Sequence, residues 1–176
     1  HTRPVWISVK IPVEAQAGIY ELRLEASAGH DSLKNTIRLE VQDKILPPPY
    51  DWSFHLDLWQ NPFAVARYHN VGLWSREHTG LLKDLLEMLA HAGQKCITTT
   101  LTPEPWGGQT YDPFRSMIVW LKNSDGQWDY DYSAFDQYVS LAIDCGIDRQ
   151  INCYSMVPWA NKYSWFDQDS GRYITR

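Results

Sequence analysis

Trp52-Ser53-Phe54-His55-Leu56-Asp57-Leu58-Trp59-Gln60-Asn61-Pro62 alternates apolar with polar or aromatic side chains and closes in a cluster of aromatic and polar residues. Strict alternation places His55, Asp57 and Trp59 on one side of a strand and Phe54, Leu56 and Leu58 on the other. One face is suited to packing and the other to chemistry. A strand of this kind, ending in side chains that can meet a sugar, suits the entry into a barrel enzyme.

The pattern downstream extends this reading. Ser75 is the expected N-cap of a helix running to Ala92, with Leu81, Leu82, Leu85, Leu86, Met88 and Leu89 at helical spacing and Gly93 as its stop. Cys96-Ile97-Thr98-Thr99-Thr100-Leu101 follows as a β-branched strand, and Thr102 to Gly108 as its outgoing loop. Met117–Leu121 and Gln127–Tyr130 flank Asn123-Ser124-Asp125-Gly126, a hairpin signal. Ser133 and Asp136 resemble a capping box opening a second helix to Gly146, and Gln150–Met156 reads as a third strand. Strands alternating with helices predict a parallel sheet. The turn at Trp59-Gln60-Asn61-Pro62 has none of the glycines of a doubly wound nucleotide fold, and the long Trp-rich loops favour a (β/α)8 barrel.

Upstream, Val5–Ile11, Gly18–Ala26 and Asn35–Val41 each alternate with period two, as in an antiparallel sandwich. An immunoglobulin-like sandwich needs about seven strands, so three suggest the tail of one. Leu46-Pro47-Pro48-Pro49-Tyr50 reads as a stiff joint. The expected organisation is therefore multidomain β plus α/β. Residues 1–44 are the last strands of a sandwich, 45–50 a Pro-rich linker, and 51–176 the first three βα units of a TIM barrel. The residues after 50 amount to about half of the roughly 250 that a whole barrel takes. The chain is accordingly expected to be part of a longer polypeptide, or to self-associate through its unpaired sheet edges.

Composition narrows the chemistry. A net charge of -5 with no basic stripe argues against nucleic acid, and no apolar run nears the ~18 residues of a membrane span. Eight of the nine tryptophans lie from Trp52 onward; Trp often lines pockets, and its indole face packs well on a sugar ring. Cys96, Cys145 and Cys153 read as small buried hydrophobes, and His69 and His78 as structural or surface residues, so no metal site and no cofactor is expected. Candidate substrate contacts lie just past the strands: His55, Asp57, Trp59 and Gln60 after the first, Glu104, Trp106 and Gln109 after the second, Asn152, Tyr154 and Trp159 after the third. His55, deeper in its strand, suits a hydrogen-bonded support. Glu104, between two prolines, is a conceivable acid, although a solvated loop carboxylate explains it as well. Asp129 and Asp131 need no role beyond capping the following helix.

The run Phe54-His55-Leu56-Asp57-Leu58-Trp59-Gln60-Asn61-Pro62-Phe63-Ala64-Val65-Ala66-Arg67-Tyr68, the Ala17-Gly18-Ile19-Tyr20 strand, Phe135-Asp136-Gln137-Tyr138 and Asn152-Cys153-Tyr154-Ser155-Met156-Val157-Pro158-Trp159 together resemble glycoside hydrolase family 123. The resemblance implies a sandwich followed by a barrel, in a secreted, periplasmic or cell-surface bacterial enzyme. Its substrate would be a glycan with terminal β-linked N-acetylgalactosamine. It also implies a substrate-assisted retaining mechanism: the 2-acetamido oxygen attacks the anomeric carbon, an Asp orients it, and the adjacent Glu protonates the leaving oxygen. No adjacent Asp-Glu pair occurs in this sequence. The expectation is thus a sugar-pocket wall of His55, Asp57, Trp59, Gln60, Trp106 and Tyr154 with no catalytic residue among them. A non-catalytic carbohydrate-binding module, or a barrel glycosidase using Glu104 as acid, are the alternatives.

Overall fold

The computed structural model describes residues 4–176, which form two compact units, one up to Leu46 and one from Pro47. In the first, β1 (Gly18–Ala28) and β2 (Asp31–Val41) pair antiparallel in continuous register from Gly18↔Val41 to Ala28↔Asp31. Gly29, at φ 64°, supplies the left-handed residue of the tight turn between them. Val5–Ile11, expected as a third strand, is not one: it pairs with no neighbour among the described residues. Alternation shows that a segment could line a sheet, but the ladder needs a partner.

The second unit begins with the proline run itself. Pro49–Asp51 forms a single 3-10 turn, and the Trp52 indole N–H donates to Pro47 O at 2.7 Å. The segment expected as the first barrel strand is irregular, joined to the sheet by one parallel bridge, Leu56↔Gln94. After it comes a helix the sequence reading missed, α1 (Pro62–His69). Asn61 caps it by accepting from Phe63 N–H and Ala64 N–H at 3.1 and 3.2 Å, with Pro62 at the first helical position. His69, expected in a loop, is its last residue.

The next helix, α2 (Arg76–His91), has the expected Ser75 cap, whose hydroxyl accepts from His78 N–H. It stops at Gly93 for two reasons. The residue sits at φ 90°, and a Cβ there would lie 2.8 Å from the Trp52 ring. The strand β3 (Cys96–Thr100) is buried at every residue. The hairpin β4 (Val119–Lys122) and β5 (Trp128–Asp131) pairs Trp120 with Tyr130.

The third helix, α3 (Ser133–Asp144), departs from the expected capping box. Ser133 is its first residue and Tyr132 its N-cap, and the neighbouring carboxylate of Asp131 accepts from Ser133 N–H at 2.8 Å. Asp131 thus serves the helix start, and its hydrogen bonds to Ser133 hold it below the usual carboxylate pKa. The strand β6 (Gln150–Tyr154) then pairs parallel with β3, Cys96 opposite Gln150 through Thr100 opposite Tyr154. Two unanticipated strands, β7 (Ser164–Asp167) and β8 (Arg172–Thr175), complete a four-stranded sheet ordered β5-β4-β7-β8.

Helices α2 and α3 cover the parallel strands, and Leu82, Leu86, Ile97, Met117, Tyr138 and Ala142 form the centre of the core. Full burial of each large apolar side chain contributes about 1.5–3 kcal/mol relative to exposure. No helix among the described residues is long and apolar enough to cross a membrane.

His78 is wholly buried and links α2 to α1. Its Nδ1 accepts from Trp74 N–H at 3.0 Å and its Nε2 donates to Pro62 O at 2.9 Å. Those two bonds require the neutral ring, and burial lowers its pKa despite the opposing pull of the Pro62 carbonyl. A depressed histidine leaves stability intact above its unfolded value of about 6.5 and removes it as the pH falls towards the folded value. His78→Ala is expected to cost about 2–4 kcal/mol in denaturant unfolding, by orphaning one buried donor and one buried acceptor. It should also flatten the loss of stability that the native protein shows below about pH 6.5.

Candidate sugar-binding site

Leu56, β3 and β6 lie side by side, and the aromatic residues past their carboxyl ends converge. The Trp59 and Trp106 rings stack with centroids 4.9 Å apart and planes at 27°. Tyr154 closes the triangle at 5.0 Å from Trp59 and 5.3 Å from Trp106. Trp59 is 54% exposed, while Trp106 and Tyr154 are half-buried. This is an aromatic wall open on one side.

Each member is positioned by a different device. The irregular Trp59 segment is held by two glutamines. Gln94, 1% exposed, accepts from Leu58 N–H at 3.0 Å and donates to Cys96 O at 2.7 Å and to Leu58 O at 3.3 Å. Gln60 accepts from Thr98 N–H at 2.9 Å and donates to Leu58 O. Both polar atoms of Gln60, expected to face substrate, are therefore engaged within the chain.

The Trp106 loop is held from below. Phe114 is buried and meets Trp106 edge-to-face at 4.7 Å, and Glu104 N–H donates to Phe114 O at 2.8 Å. Arg67 on α1 grips Asp112 with two nitrogens, at 2.5 and 2.9 Å, a bidentate geometry that fixes direction as well as distance. Trp159 N–H donates to Pro105 O at 3.0 Å, tying the loop after β6 to the same turn. Trp159 itself is 68% exposed, outside the three-ring stack.

Asp57 lies on the inner face of the same strands. Asn152 on β6 reaches across β3 to donate to its Oδ2 at 3.1 Å, while Oδ1 is buried with no partner. The Nδ1 or Nε2 of His55, a carboxylate oxygen of Asp57 and Sγ of Cys96 all lie within 4.8 Å of one another. The sequence reading treated Cys96 only as packing and placed His55 deep in a strand; in the structure His55 is exposed and Cys96 fully buried beside it. As a ligand set the three could hold a soft divalent metal. As they stand, Cys96 is a thiol donor, its S–H directed to Leu56 O at 3.4 Å. Burial, with the Asp57 carboxylate adding to it, pushes that thiol from 9.0 up to about 12. Tyr154 is shifted upward as well, first by burial and then by the charge of Asp57.

The other candidates separate. Glu104 is the strained member, at φ 47°, with Oε1 buried and unpartnered. Gln109 is exposed on the far part of its loop. Of the cysteines, only Cys96 is buried: Cys145 is half-buried and Cys153 exposed, against the expectation for all three. Sequence reasoning missed Gln94, whose signal was weak: a lone glutamine between a helix-stopping glycine and a strand.

A parallel strand pair with aromatic rings clustered past its carboxyl ends, over a held carboxylate, has the makings of a ligand site in an α/β protein. Comparison with known proteins narrows the class. The family model described as glycoside hydrolase 123, catalytic domain, matches residues 59–175. A solved structure of a family 123 glycoside hydrolase from Clostridium perfringens, described as giving the details of glycolipid glycan hydrolysis, is 33% identical with a TM-score of 0.89. The similarity covers 96% of this chain, and the chain spans 31% of that structure. A comparison with curated proteins gives no match. The chain belongs to glycoside hydrolase family 123.

Gln94→Leu is expected to destabilise the protein by about 2–4 kcal/mol in urea unfolding, because Leu58 N–H and Cys96 O lose their buried partner together. The Trp59 indole should then become freely accessible to acrylamide quenching. A neutral outcome would mean that the 52–60 segment does not depend on Gln94.

Proposed function

We propose that this chain forms one wall of the substrate pocket of a glycoside hydrolase that removes terminal β-linked N-acetylgalactosamine from glycans, glycolipid glycans among them. The observation that carries the reading is the three-ring wall of Trp59, Trp106 and Tyr154 past the carboxyl ends of adjoining parallel segments. Residues 1–44 are assigned to the end of an immunoglobulin-like sandwich and 45–50 to a linker. The second unit is assigned to the opening βα units of a TIM barrel, in which substrate sits at this end of the strands.

In this reading the apolar face of the terminal sugar packs on the indoles, while its hydroxyls meet polar groups at the base. Asp57 suits that base: Asn152 fixes one carboxylate oxygen, and the other is buried without a partner among the described residues. Cleavage proceeds by attack of the substrate's 2-acetamido oxygen on the anomeric carbon, breaking the glycosidic bond as a carboxylic acid protonates the departing oxygen. Water then opens the cyclic intermediate with retention. Because this sequence has no adjacent Asp-Glu, the orienting carboxylate and the acid are assigned to residues other than these. The chain's own part is to bind and orient the sugar and to exclude water from its apolar face.

The full-length protein is expected to hydrolyse methyl and aryl β-N-acetylgalactosaminides, with this chain alone inert on both. Trp106→Ala should raise KM about tenfold or more, in line with the loss of one aromatic stacking partner worth about 1.4 kcal/mol. Glycan binding without hydrolysis by the full-length protein would favour a carbohydrate-binding module instead.

A second reading is favoured by Glu104, whose left-handed backbone and unpartnered carboxyl oxygen suit a group held for use. If Glu104 were the acid of a glycosidase of other specificity, Glu104→Gln would remove activity by a thousandfold or more. The first reading expects a loss below about tenfold in kcat.

A further inference from the structure

We propose that the aromatic face of the four-stranded sheet is a second sugar subsite, which receives the unit that leaves when the terminal sugar is cleaved. The inference rests on the glycosidase reading of the three-ring wall. Its own observation is a separate cavity of about 330 Å³ lined by Trp120, Trp128, Tyr130, Trp165 and Thr102.

The sheet's period of two gathers these rings. Trp128 and Tyr130 alternate with Asp129 and Asp131 along β5, so both indole and phenol face one way. Trp120 lies opposite Tyr130, and the parallel register of Leu121 with Phe166 brings Trp165 onto the same face of β7. The rings meet edge-to-face, Trp120 with Tyr130 at 5.2 Å and Trp128 with Trp165 at 5.9 Å. Edge-to-face contact fixes the tilt of both rings, covering one face of the ring that is met and leaving its opposite face clear of that contact.

The volume lies at the small end of ligand pockets, enough for a single pyranose ring. Polar groups also line it: the phenol of Tyr163, and the hydroxyls of Thr102 and Ser164, which are bonded to Ser155 O and the Thr175 hydroxyl and keep acceptor capacity. The indole N–H of Trp165 is buried and has no acceptor among the described residues. An aromatic floor with hydroxyl-bonding edges matches a sugar, apolar on its C–H face and polar at its rim, better than a hydrocarbon chain.

The position points to the leaving unit. Thr102 lies at the start of the loop that carries Trp106, and its hydroxyl donates at 3.1 Å to Ser155 O, the residue after Tyr154. The Trp120 indole N–H donates at 2.8 Å to Leu101 O, the residue before Thr102. The cavity therefore shares two short backbone segments with the wall that would hold the terminal sugar. A glycan threaded from one to the other places its second ring on the aromatic sheet face.

The test compares, in the full-length protein, kcat/KM for a β-N-acetylgalactosaminyl-galactose disaccharide with kcat/KM for methyl β-N-acetylgalactosaminide, whose aglycone is too small to fill the cavity. Trp128→Ala is expected to lower the disaccharide-to-methyl ratio about tenfold, and Trp128→Phe, which keeps a ring, to restore most of it. Tyr130→Ala, carried in parallel, reads the same ratio and decides the matter should Trp128→Ala fail to fold. An unchanged ratio in the folded variants overturns the subsite while leaving the glycosidase reading intact. Failure of the wild type on both substrates would instead remove the reading on which it rests. If the variants lower the ratio for octyl β-N-acetylgalactosaminide to methyl but not for the disaccharide, the cavity binds alkyl aglycones and the sugar assignment is wrong.

Discussion

The side-chain amide of Gln94 is the constraint on which the aromatic wall depends. The segment from Trp52 to Gln60 approaches the sheet like a strand but forms one backbone bridge among the described residues, from Leu56 to Gln94 just ahead of β3. A strand without a ladder has unpaired N–H and C=O groups, each expensive when buried. Gln94 supplies a donor and an acceptor to Leu58 from one planar group and anchors itself on Cys96 O. Gln60 repeats the device one step further along, on Thr98 N–H. Trp59 lies between the two clamped positions, so its ring direction follows from amide geometry rather than from sheet register.

The other two rings inherit more ordinary supports. Tyr154 ends a regular parallel pair, and Trp106 rests on Phe114 in a loop drawn to α1 by Arg67 and Asp112. The face below the wall is polar and partly unsatisfied: Asp57 Oδ1 and Thr98 Oγ1 are both buried without partners. Unpaired polar atoms of this kind are rare in finished interiors. The adjoining sheet face adds a second set of rings that share backbone with the first.

Much of this was legible in local pattern. The leucine spacing of α2, the threonine-rich β3 and the Asn-Ser-Asp-Gly turn each carried their own signal, and the aromatic residues past the strand ends marked the wall. What was lost depended on competing readings or distant partners. Asn61-Pro62 was taken as the exit of a strand, although Asn before Pro is also an N-cap followed by a first helical residue, and α1 begins there. Val5–Ile11 alternates as a strand does but has no neighbour to pair with among the described residues. The short strands β7 and β8, around the turn at Gly171, carried aromatic and β-branched residues but too few to stand out. Gln94 could not be read at all, since its role exists only once residues 36 apart in the chain meet.

We propose that the Trp59, Trp106 and Tyr154 rings form the surface on which the terminal sugar lies. A crystal structure of the full-length protein soaked with N-acetylgalactosamine tests it directly. The claim predicts the pyranose ring packed on the Trp59 and Trp106 faces, with a hydroxyl within hydrogen-bond distance of Asp57. A sugar bound elsewhere, with the three rings still facing solvent, would contradict it.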